Sequence, residues 1–145
     1  MAQVQAPPSV PPPAHVLIIE DDPILMMALV EFVEDAGCVA IEASTAAEAI
    51  GTLETRLDIR VVLTDLDLRG SRAGMTLASA IRDRWPPIEL LMVSSQPWEA
   101  AQIPARGIVL GKPFDRRRIV AALQKSAAER PPRERLQGAS GPAGR

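Results

Sequence analysis

Val61-Val62-Leu63-Thr64 is an unbroken run of apolar or β-branched residues, and it ends by delivering a carboxylate, Asp65, followed by Leu66-Asp67-Leu68. A strand with one face in water alternates apolar and polar side chains. A run without that alternation predicts a strand covered on both faces, as in a parallel sheet layered between helices. Open parallel sheets bind their ligands beyond the carboxyl ends of the strands. The run therefore places Asp65 where a sheet of this kind carries its chemistry.

The rest of the chain supplies the elements that this reading requires. His15 to Ile19 is a second continuous apolar run, and it ends at three acids, Glu20-Asp21-Asp22. Pro23 suits the first position of a helix capped by Asp22. Leu25, Leu29, Phe32, Val33 and Ala36 then recur at the spacing of a core-facing helical stripe, which Gly37 ends. Cys38 to Ala43 reads as a short strand, and Thr45-Ala46-Ala47-Glu48 as a capping box that opens a helix through about Glu54. The third strand is Ile59 to Thr64. A loop from Asp67 to Gly74 leads to a helix over Met75 to Trp85, with Leu77, Ala78, Ile81 and Trp85 facing inward and Pro86-Pro87 stopping it. Ile88 to Val93 and Ile108 to Leu110 are the fourth and fifth strands. Asp115 caps a last helix that turns Ile119, Val120 and Leu123 inward and leaves Arg116, Arg117 and Lys125 in water. Between Val93 and Ile108 only Pro97 to Pro104 is available, with a proline at each end, which predicts a single turn or irregular loop in place of a helix. The alternation of strands and helices predicts right-handed crossovers and a doubly wound α/β sheet.

Composition bounds what such a sheet can serve. The 145 residues suffice for one domain with a proper core. Residues 1–14, rich in proline and nearly uncharged, read as a disordered leader, residues 15–127 as the domain, and residues 128–145, rich in Pro, Gly, Arg and Ser, as a disordered tail. A net charge of −2 gives no electrostatic support for a nucleic-acid or membrane-surface partner. The single cysteine, Cys38, cannot form an intramolecular disulfide or a cysteine metal cluster and reads as a small buried residue. No apolar run reaches membrane-spanning length and no basic segment precedes an apolar one at the N-terminus, which predicts a cytoplasmic protein.

Glu20 and Asp21 after the first strand, Asp65 after the third, Ser94 after the fourth and Lys112 after the fifth all project from one edge of the predicted sheet. Carboxylates held close together raise one another's pKa values unless a cation neutralises them. A hard divalent ion such as Mg²⁺ is the natural partner. A lysine and a hydroxyl added to that set make a cradle for a phosphoryl group.

On these residues the chain resembles the response-regulator receiver domain over about residues 15 to 126, through Ile19-Glu20-Asp21-Asp22-Pro23, Leu63-Thr64-Asp65, Met92-Val93-Ser94-Ser95 and Lys112-Pro113-Phe114. The resemblance implies a flavodoxin-like fold with five parallel strands in the order 2-1-3-4-5, here with a shortened or missing fourth helix. It implies that Asp65 is the phosphoacceptor and that Glu20 and Asp21 are metal-site acids, Asp21 the direct ligand. By the same resemblance, Asp67 offers its backbone carbonyl to the metal, Ser94 is the hydroxyl that follows the phosphoryl group, Lys112 pairs with it, and Ser95 stays small so that the donor can approach. The implied cofactor is Mg²⁺ (or Mn²⁺), and the implied partners are a histidine kinase or phosphotransfer protein and a downstream protein target. The function implied is that of a stand-alone signalling domain rather than an enzyme, since no effector domain follows in the sequence. One departure stands out. The family places Tyr or Phe three residues before the lysine as a rotamer switch, and here that residue is Val109.

Two other functions compete. Asp65-Leu66-Asp67-Leu68 also fits the first motif of haloacid-dehalogenase-type phosphohydrolases, in which the first Asp is nucleophile and the second acid/base. That family needs an acidic pair downstream of the lysine, and here the acids lie upstream. The third reading is a receiver-like adaptor that works without phosphorylation. Several residues carry plain structural readings: Asp22 as a helix cap, His15 as structural, and Arg116 to Arg118 as a solvated face. Trp98 reads equally as a contact residue near the site and as a cover for the strand edge.

Overall fold

The computed structural model describes residues 12–68 and 73–129. The leader up to residue 11, the loop residues 69–72 and the tail from residue 130 lie outside the described residues. In chain order the elements are β1 (His15–Ile19), α1 (Pro23–Asp35), β2 (Val39–Ala43), α2 (Ala46–Thr55), β3 (Ile59–Asp65), α3 (Ala73–Arg84), β4 (Glu89–Ser94), a 3-10 turn (Ala100–Gln102), β5 (Ile108–Gly111) and α4 (Arg116–Ala128).

All strand pairings are parallel, in the order β2-β1-β3-β4-β5. This is the doubly wound, flavodoxin-like sheet. Successive strand residues point to opposite faces, and the core divides accordingly. Leu17, Ile19, Val62, Leu90 and Met92 pack with Ala49 and Leu53 of α2 and with Leu77, Ala78 and Ile81 of α3. Val16, Ile18, Val61, Leu63, Leu91 and Val93 pack on the other face with Met26, Leu29 and Val33 of α1 and with Ile119 and Leu123 of α4. With helices on both faces, both alternating sets of strand residues are kept from water. The unbroken apolar runs of β1, β3 and β4 follow from that.

Helix ends follow local chemistry. Asp22 caps α1, its Oδ1 accepting from the backbone N–H of Ile24 at 2.8 Å, and Gly37 leaves the helix at φ 81°, a left-handed conformation suited to glycine. Thr45 Oγ1 accepts from the N–H of Glu48 at 3.0 Å, while the Glu48 carboxylate reaches past the cap to Ser44 N–H at 2.8 Å. Asp115 caps α4 through the N–H of Arg118. On α1, Met26 rather than Leu25 joins Leu29 and Val33 in the core. α3 spans Ala73–Arg84, where Met75 to Trp85 was expected, and its Gly74 lies directly on β3's continuation. A Cβ at Gly74 would stand 2.6 Å from the Cα and carbonyl oxygen of Leu66.

The crossover from β4 to β5 has only the 3-10 turn where the other crossovers carry helices. Trp98 and Ile103 cover the sheet there. A buried arginine ties this loop to the turn before β4: Arg82 of α3 donates from Nε to the Ala105 carbonyl of the loop at 2.8 Å and from Nη1 to the carbonyls of Pro86 and Ile88, between α3 and β4, at 2.9 and 2.7 Å. Carbonyls taken out of water need such donors. Cys38 is buried at the start of β2, and burial pushes its thiol pKa up, away from reactivity.

Candidate functional site

The register of the central strands brings the predicted residues to one edge. Ile19 pairs with Thr64, Asp65 with Val93 and Ser94 with Gly111. Backbone bonds carry the order past the strand ends: Glu20 N–H to Ala43 O at 3.1 Å, Leu66 N–H to Val93 O at 2.8 Å, and Lys112 N–H to Ser94 O at 2.8 Å. Phe114, beyond the cis Lys112-Pro113 peptide, packs edge-on against Phe32 of α1 with ring centroids 5.9 Å apart. That contact fastens the turn that carries Lys112 to the helix that follows the acids.

Asp65 is 2% exposed. Lys112 Nζ donates to both of its oxygens, at 3.0 and 2.9 Å, and also lies 2.9 Å from Asp67 Oδ2. Burial disfavours the ammonium, but the two carboxylates outweigh it and hold the lysine above its ordinary pKa. The backbone N–H of Asp67 donates to Asp65 Oδ1 at 2.7 Å.

Glu20 is 1% exposed, with its Oε2 accepting from the N–H of Asp22 at 3.0 Å. Its Oε1 is buried with no donor facing it, beside the carboxylates of Asp65 and Asp21. Burial is the main cause of its raised pKa and Asp65 adds to it, against the bond from Asp22, so that the carboxyl is pushed up to about 8. A carboxyl in that position is stabilised either by a proton, which it then donates to a neighbouring carboxylate, or by a cation. Among the described residues no group of three His, Cys, Asp or Glu side chains is arranged as a dedicated metal cluster. Glu20 lies beside the carboxylates of Asp65 and Asp21, and carboxylate oxygens are the donors that a hard divalent cation takes.

Ser94 Oγ is the centre of a second set of bonds. It donates to the Gln96 carbonyl and accepts from the Gln96 N–H, both at 3.0 Å, and the Trp98 indole N–H donates to it at 3.0 Å. Trp98 thus fulfils both readings, since its ring packs on the core while its N–H touches the site. The Asp67 carboxylate, at the mouth of the site, accepts from Ser95 N–H at 2.9 Å and has Ser94 Oγ at 3.5 Å. Neither the indole bond nor the Asp67 side-chain bonds are evident from sequence spacing. They arise from a loop and a strand that meet only in the folded chain.

A sequence profile for the response regulator receiver domain matches residues 16–124. The chain belongs to the response-regulator receiver family. Solved structures similar to this receiver include a response regulator receiver protein from Pseudomonas putida, at 26% identity and a TM-score of 0.69, with 80% of this chain and 99% of that one covered. A response regulator receiver protein from Sinorhizobium medicae WSM419 aligns at 24% identity and a TM-score of 0.70, over 79% of this chain and 94% of that one. A chemotaxis response regulator of Vibrio cholerae aligns at 21% identity and a TM-score of 0.67, over 79% and 98% of the two chains. No curated protein sequence matches the chain. The haloacid-dehalogenase reading gains nothing from these matches. No helix among the described residues is long and apolar enough to cross a membrane.

Proposed function

We propose that the receiver, assigned to residues 15–127, accepts a phosphoryl group on Asp65 from a phosphohistidine of a histidine kinase or phosphotransfer protein, and passes the change to a protein target. The observation that carries this reading is the Lys112 ammonium bonded to both oxygens of a buried Asp65, with the donorless Oε1 of Glu20 alongside. In the transfer an Asp65 carboxylate oxygen attacks phosphorus, the phosphorus–nitrogen bond breaks with its electron pair going to nitrogen, and the imidazole leaves as the neutral ring after taking up a proton from water. Lys112 offsets the charge on the phosphoryl oxygens, and Ser94 donates a hydrogen bond to one of them. When bound by Glu20, Asp21, Asp65 and the Asp67 carbonyl, Mg²⁺ would supply the positive charge that lets two anions approach. Buried Glu20 favours a cation in that place, because its ionised form lacks a donor at Oε1.

The test is incorporation of phosphate from a small phosphodonor such as phosphoramidate, with and without Mg²⁺, in the wild-type receiver and in Asp65→Asn. Mg²⁺-dependent labelling that vanishes in the variant is expected. Labelling that survives the substitution would sink the assignment, and an inert wild type would leave the phosphorylation-independent adaptor as the better account.

A further inference from the structure

The carboxylate of Asp67 occupies a place built for an anion. Its Oδ2 receives the Lys112 ammonium at 2.9 Å and the Ser95 backbone N–H at 2.9 Å, and its Oδ1 lies 3.5 Å from the Ser94 hydroxyl. An ammonium, a backbone N–H and a hydroxyl that converge from two strand ends are donors of the type that stabilise phosphoryl oxygens. Here they converge on a side chain two residues beyond Asp65. Its tether is short and fixed, since the N–H of Asp67 is bonded to Asp65 Oδ1 and that of Leu66 to Val93 O. The side chain itself is 26% exposed, so rotation about its own bonds can carry the carboxylate into water without disturbing the core.

We propose that Asp67 is a tethered competitor of the phosphoryl group, holding the Lys112 and Ser95 donors beside the Ser94 hydroxyl while Asp65 is unmodified and releasing them when an anion binds there. This rests on the reading of Asp65 as acceptor. Any anion seated on Asp65 needs the same donors and therefore binds against the loss of Asp67's own contacts. It also meets the charge of a second carboxylate at close range. Asp67 thus sets how readily the receiver is loaded. A residue that merely anchored the loop after β4 would act in the opposite sense: its removal would loosen Ser94 and Ser95 and weaken anion binding.

The sign of one measurement separates the two. Beryllium trifluoride in the presence of Mg²⁺ is a non-covalent stand-in for the phosphoryl group, and its affinity is measured by calorimetry for the wild type, Asp67→Ala, Asp67→Asn and Asp65→Asn. Substitution at Asp67 leaves its main-chain carbonyl, the proposed metal contact, in place. Asp67→Ala is expected to bind about tenfold more tightly than the wild type, the size of one charge-assisted hydrogen bond released, with Asp67→Asn in between because its amide oxygen still accepts. Asp67→Asn carries the test should the alanine variant fail to fold by thermal melting. Unchanged or weaker binding in the folded Asp67 variants, with a wild type that binds and an Asp65→Asn that does not, overturns the competitor while the acceptor reading stands. Failure of the wild type and every variant to bind overturns both.

Discussion

Glu20 and Asp65 are both buried carboxylates at the strand ends, but their surroundings differ. Lys112 satisfies Asp65, whereas Oε1 of Glu20 faces other carboxylates with no donor. Its carboxyl therefore holds a proton to about pH 8, against an ordinary value of 4.5. Between those two values the folded chain binds a proton that the unfolded chain has already released. The associated stability is full below the unfolded value and is lost as pH rises through the folded one. Metal-free receiver should accordingly melt at a lower temperature at about pH 8 than at about pH 5, Glu20 contributing a downward slope. Glu20→Gln, which supplies an uncharged group of the same shape, should flatten that part of the slope, as should saturating Mg²⁺. An identical pH profile in wild type and Glu20→Gln would show that the proton resides elsewhere.

At the scale of elements, the crossover between β4 and β5 is where this receiver departs from regular alternation. The prolines at its ends, 97 and 104, leave room for one 3-10 turn, and the sheet is covered by Trp98 and Ile103 instead of a helix face. The same Trp98 donates its indole N–H to Ser94 Oγ. With Val109 unable to act as an aromatic switch, the loop itself is the element coupled to the hydroxyl. An anion on Asp65 that draws Ser94 Oγ toward it removes the acceptor from the indole, so beryllium trifluoride with Mg²⁺ should shift the Trp98 emission. Trp85→Phe isolates that signal, and Ser94→Ala should abolish the shift while leaving the fold intact. An emission that responds equally in Ser94→Ala would uncouple the loop from the hydroxyl. This coupling was not legible in the sequence: spacing placed Trp98 near the site but was silent on where its N–H pointed.

At the scale of the molecule, β3 is the axis. It pairs with β1 and β4, is buried on both faces, and sends Val62 into one core and Val61 and Leu63 into the other. β2 and β5 each have a strand neighbour on one side only, and four of the five β2 residues are exposed or half-buried. Native-state hydrogen exchange should find the amides of β3 the slowest to exchange, with those of β2 and β5 exchanging through smaller openings. Uniform protection across the sheet would mean that the two cores open as a single unit.

The sequence by itself determined the elements, their alternation and the strand ends at which chemistry would fall, because continuous apolar runs, caps and breakers act over a few residues and need no distant partner. Glu20, Asp21, Asp65, Ser94 and Lys112 could be named as a set for that reason. The family likeness added the strand order, which local patterns do not encode. Only the tertiary structure decided the rest: that Gly74 must lack a side chain because Leu66 lies against it, and that Arg82 ties the helixless crossover at Ala105 to the turn before β4 at Pro86 and Ile88. It also decided that Asp67 turns its carboxylate onto Lys112 and Ser95. Each of these depends on distances between residues far apart in the chain, and side-chain direction at a strand end is set by which neighbours the register brings within hydrogen-bond reach.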